Sequence, residues 1–97
     1  LTNLTRLDIG ANDIIGGCML KYLPKLIHLD VRGNQWVYGD DLRQLTTLRS
    51  LQVNYFQNTT FDDIYMLTGL TYLSISNITH PNIDLSRFPR LTYFKEY

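Results

Sequence analysis

A 22-residue period governs the chain. Lines beginning at Leu1, Leu23, Leu45, Leu67 and Phe88 advance by 22, 22, 22 and 21 residues. Four columns stay apolar through the first four lines. They are Leu1/Leu23/Leu45/Leu67, Leu4/Leu26/Leu48/Leu70, Leu7/Leu29/Leu51/Leu73 and Ile9/Val31/Val53/Ile75. Phe88, Leu91 and Phe94 continue three of them, and Leu20, Leu42, Ile64 and Leu85 form a fifth column late in each unit. A fixed period of this length requires each unit to bury its apolar side against the next, because one unit alone cannot close a core.

Within each unit the apolar residues first alternate with period two, as in Leu7-Asp8-Ile9, which predicts a short strand with one buried face. Equivalent strands stacked ~4.8 Å apart form a parallel sheet. The late apolar column then packs behind it. Pro24 and Pro89 fall in the turns leading to strands, where no ladder bond is lost. Asp41, Asp63 and Asp84 each precede the late apolar residue. Helix capping accounts for that column better than a metal site does. Gly16, Gly17 and Gly39 are assigned to return turns, since no Gly-Lys-Ser/Thr phosphate loop follows them. Trp36, aligned with Ile14, reads as a core filler.

The openings LTNLTRLDI, LPKLIHLDV, LTTLRSLQV and LTGLTYLSI resemble the leucine-rich repeat family, Leu-x-x-Leu-x-Leu-x-x-Asn, most closely its 22-residue internalin-type subclass. The resemblance implies an α/β fold. In that fold a right-handed β-α superhelical solenoid carries a parallel sheet on its concave face and short helices or turns on its convex face. It covers residues 1–97 as one array. The family's ladder asparagine stands at Asn12 and Asn34, while Phe56 and Ile78 replace it in the next two units.

Composition narrows the function. Nine Lys and Arg balance nine Asp and Glu, which leaves no basic footprint for nucleic acid or an acidic membrane. No apolar run approaches the ~20 residues of a bilayer span. Cys18 is the only cysteine, so no internal disulfide forms and no multi-cysteine zinc site is expected. No cofactor or metal is expected. Three sequons, at Asn3, Asn58 and Asn77, lean towards a secreted or cell-surface setting without fixing the compartment. Neither Leu1-Thr2-Asn3-Leu4, which opens in full register, nor Tyr97 reads as a polar cap. The array is therefore expected to be part of a longer one, with apolar ends prone to end-to-end self-association.

The residues between the leucines are expected to project from the concave face. One column reads Arg6, His28, Ser50, Tyr72 and Tyr93, and the next Asp8, Asp30, Gln52, Ser74 and Lys95. A third reads Gly10, Arg32, Asn54, Ser76 and Tyr97, with Tyr55 and Asn77 at its edge. One half of this face is charged through Arg6, Asp8, Asp30 and Arg32, and the other carries Tyr55, Tyr72, Tyr93 and Tyr97. Tyrosine and arginine combine large contact area with directional bonding. The expected protein-contacting residues are therefore Arg6, Asp8, His28, Asp30, Arg32, Gln52, Tyr55, Tyr72, Ser74, Tyr93 and Tyr97. Exposed strand positions also favour tyrosine without any partner. His28, Asp30 and Ser50 are the residue types of a base, an acid and a nucleophile, and neighbouring strands bring them within ~5–7 Å. An open sheet supplies no enclosed pocket or oxyanion donors, so a polar surface is expected there and not an enzyme. The sequence-level expectation is a protein-interaction module. The alternatives are a targeting segment of a larger kinase or ubiquitin-ligase type enzyme, or a structural spacer.

Overall fold

The structure, a computed structural model, describes residues 3–10, 17–33, 37–54, 61–76 and 83–96. It is of the α/β class. Five strands alternate with four short helical segments: β1 (Arg6–Asp8), a 3₁₀ segment (Gly17–Tyr22), β2 (His28–Asp30), α1 (Gly39–Leu42), β3 (Ser50–Asn54), α2 (Phe61–Tyr65), β4 (Tyr72–Ser76), a second 3₁₀ segment (Leu85–Arg87) and β5 (Tyr93–Glu96). The strands form one sheet in the order β1-β2-β3-β4-β5, and every neighbouring pair is parallel.

The strand register follows the repeat spacing. Arg6, His28, Ser50, Tyr72 and Tyr93 pair in one row, and Leu7, Leu29, Leu51, Leu73 and Phe94 in the next. A one-residue slip would turn every leucine to the opposite face, so the apolar columns themselves hold the register. Leu26, Leu48 and Leu70 are fully buried beneath the turns, and Leu20, Leu42 and Ile64 behind the sheet. The outer strands have one neighbour each. Accordingly Leu4 and Leu7 on one side, and Leu91 and Phe94 on the other, are only half-buried.

The turns before the strands are tied together from unit to unit. Thr5 O accepts from Ile27 N and His28 N, and Ile27 O from Arg49 N and Ser50 N. Arg49 O likewise accepts from Thr71 N and Tyr72 N, and Thr71 O from Thr92 N and Tyr93 N. Threonine hydroxyls add to this ladder: Thr47 Oγ1 donates to Leu26 O at 2.9 Å, Thr71 Oγ1 to Arg49 O and Thr92 Oγ1 to Thr71 O. The threonines of these turns thus add a side-chain bond to carbonyls of the preceding unit, reinforcing the backbone ladder at Arg49 O and Thr71 O. Pro24 and Pro89 lie exposed in these turns, where no donor is required of them.

Two aspartates of the late column bond at the start of a helical segment. Asp41 Oδ2 accepts from Tyr38 N at 3.0 Å, closing the first turn of α1. Asp84 caps the second 3₁₀ segment by accepting from Ser86 N and Oγ. Those bonds, the side-chain one foremost, and the nearby Arg87 hold the Asp84 carboxyl below the usual carboxylate range. The Asp63 carboxylate lies against Gly39 and within 3.9 Å of Arg43 Nη1, and the residues ahead of α2 that it would cap lie outside the described residues.

One column departs from expectation. Leu85 is 40% exposed, unlike Leu20, Leu42 and Ile64. In the shortened unit α2 meets the second 3₁₀ segment through Tyr65 instead. Its ring lies 5.6 Å from that of buried Phe88, its hydroxyl accepts from Asp84 N at 2.8 Å, and Arg87 stands 4.4 Å over it. The expectations for Asn12, Ile14, Gly16, Asn34, Trp36, Phe56, Asn58, Asn77 and Ile78, and for the Cys18 side chain, lie outside the described residues.

Candidate interaction face of the sheet

Strand alternation sends Leu7, Leu29, Leu51 and Leu73 into the core and the residues flanking them to the opposite face. That face holds a shallow depression of about 380 Å³, floored by Leu7 and Leu29 and walled by Arg6, Asp8, His28, Asp30, Ser50, Gln52 and Tyr72. The register brings together six of the expected contact residues on this wall. Ser50 joins them from the same row.

Tyr72 and Tyr93 pair directly across β4 and β5. Their rings stack with centroids 4.6 Å apart and planes 3° from parallel, and Tyr93 remains 44% exposed. The 21-residue step preserves this pairing, because the deletion falls in the return and not in the strand. The stack makes a rigid aromatic plate at the edge of the polar depression. Two stacked rings lose little rotamer freedom on binding, which favours them as anchors.

The charged half is less free than the sequence suggests. Asp8 Oδ1 accepts from Gly10 N at 3.0 Å, and Asp30 Oδ1 accepts from Arg32 N at 3.1 Å. These equivalent turns two residues along terminate β1 and β2. Arg32 also grips Asp30 through Nε and Nη2, at 3.1 and 2.9 Å. Arg32 therefore lies outside the depression, neutralising its own strand end. Arg6 makes no ion pair among the described residues and is the wall's uncompensated cation.

One further expectation changes. Ser74 belongs by alternation to the outward row between Gln52 and Lys95, yet it is 0% exposed and its Oγ has no hydrogen-bond partner. It is the shortest side chain of its row, sits too deep to meet a partner and is removed from the contact set. His28 and Ser50 do pair on neighbouring strands. The Asp30 carboxylate, however, is committed to Arg32 and does not orient the imidazole, so the three do not form a relay. Tyr55 and Tyr97 lie outside the described residues.

Among the described residues no group of three or more His, Cys, Asp or Glu side chains is placed to hold a metal ion. None of the described helices is long and apolar enough to cross a membrane. No protein-family model matches the chain, and no curated protein matches it.

Proposed function

We propose that the chain is a leucine-rich-repeat solenoid segment that binds a protein partner on the outward, concave face of its parallel sheet. The observation that carries this reading is the stacked Tyr72–Tyr93 pair beside a polar depression, with Tyr93 exposed and Tyr72 half-buried. The repeat period, the sequential parallel strands and the helical segments behind them support the solenoid. The partner buries the aromatic plate, sets a carboxylate against Arg6 and hydrogen-bonds the amide of Gln52 and the imidazole of His28. Binding, and not chemistry, is the activity of this face.

The test is a titration of a cross-linked and identified partner. Tyr72→Ala combined with Tyr93→Ala is expected to weaken its affinity at least about tenfold, in keeping with aromatic hot spots. Tyr22→Ala, at a still more exposed tyrosine on the 3₁₀ segment behind the sheet, is expected to leave affinity unchanged. Equal losses in both, or none in the double variant, would remove the sheet face from the account.

A further inference from the structure

A second surface lies at the edge of the sheet where the chain enters its strands. A groove of about 800 Å³ runs across the turns before β2, β3, β4 and β5, and Lys25, Arg49 and Arg90 line it together with Ile27 and Gly69. The whole chain is neutral, yet the turn segments 24–27, 46–49, 68–71 and 89–92 contain these three cations and no acid. Charge is segregated: the acids cluster instead at the helix starts (Asp40, Asp41, Asp62 and Asp63) and at the strand ends (Asp8 and Asp30).

The cations are unspent. Neither Arg49 nor Arg90 makes a side-chain hydrogen bond or ion pair among the described residues. Lys25 Nζ donates to Asn3 Oδ1 at 3.1 Å, a neutral acceptor that leaves its charge uncompensated. Between them Ile27 is 36% exposed.

We propose that this groove docks an extended acidic peptide segment of a protein partner, with carboxylates on Lys25, Arg49 and Arg90 and an apolar side chain against Ile27. The three cations span three strand steps of ~4.8 Å, so an extended segment of about five residues reaches all of them. A nucleic-acid backbone fits less well, because it would leave Ile27 without a partner and meet only three cations on a neutral protein. The site is separate from the sheet face and does not depend on the tyrosine reading.

The experiment is a calorimetric titration with the end-blocked peptide Glu-Glu-Leu-Glu-Glu. Its all-Gln counterpart, inorganic phosphate and a single-stranded hexanucleotide serve as comparators. The acidic peptide is expected to bind, to weaken as salt is raised to about 0.5 M, and to exceed its Gln counterpart at least tenfold. Arg49→Ala with Arg90→Ala is expected to cost about tenfold, the sum of two exposed ion pairs. Gly69→Glu is expected to abolish binding while the chain stays folded. A Cβ there comes no nearer than 3.5 Å to Leu48 O, so the side chain is accommodated and its charge repels the ligand. Tyr72→Ala with Tyr93→Ala is expected to have no effect, so failure here is distinguishable from failure of the sheet face. The proposal is overturned by undetectable peptide binding, by equal binding of the Gln peptide, by full affinity in the double arginine variant, or by tighter binding of the oligonucleotide or phosphate at the same arginines.

Discussion

Leu51→Ala is expected to lower the unfolding free energy by about 3–5 kcal/mol, while Leu85→Ala costs under about 1 kcal/mol. The two leucines occupy equally regular columns, but their surroundings differ. Leu51 is fully buried and pairs in register with Leu29 on one side and Leu73 on the other, both also buried. Strands β2 and β4 are fixed by backbone ladders, so the site cannot collapse and a cavity persists. Leu85 is 40% exposed, and truncating it removes little area from an interface that Tyr65 and Phe88 already fill. Against the 5–15 kcal/mol typical of a domain, the first change is a large fraction of total stability. Denaturant titrations with unchanged m-values provide the check. Comparable losses at the two positions would contradict the packing described above.

Gly39→Ala is expected to destabilise the protein by about 2–3 kcal/mol, against the sign of helix propensity. In an isolated helix this exchange is favourable by about 1 kcal/mol. Here a Cβ on Gly39 would collide with the Asp63 carboxylate and stand 3.1 Å from Asp63 Cβ. Asp63 has little room to retreat, since it is largely covered and faces Arg43 at 3.9 Å. The clash therefore pushes α1 away from α2. Asp63→Ala in the same chain is expected to restore part of the loss, because the carboxylate goes while the close Cβ stays. A stabilised Gly39→Ala protein, read from its thermal midpoint, would show that α1 and α2 do not meet as closely as described.

Much of this architecture was legible in the repeat. The columns at Leu7, Leu29, Leu51 and Leu73 predict parallel strands in register, because only that pairing turns all four to the core side. The tyrosine pair followed once the shortened step was placed in the return. What the pattern hid depends on side-chain length and local bonding. Ser74 sits in an outward column but is too short to emerge from its row. Asp30 and Arg32 read as a charged surface, yet their two-residue spacing lets them bond to each other across a turn. Leu85 follows its column in sequence but not in burial, and the contacts of its segment with α2 run through Tyr65. The basic groove escaped notice because overall neutrality masks local segregation, and Arg49 and Arg90 lie two units apart in the chain. Reading the turn columns for charge, as well as the strand columns, would have found it.

We propose that the sheet face, anchored by Tyr72 and Tyr93, is the surface a partner covers. Hydrogen–deuterium exchange combined with tyrosine-selective footprinting of the bound complex tests it most directly. The account predicts protection of both tyrosine rings and of the β2–β5 segments, with no change in 3₁₀ segment Gly17–Tyr22 or in α1 and α2. Protection confined to those helical segments, with Tyr72 and Tyr93 as reactive as in the free chain, would contradict it.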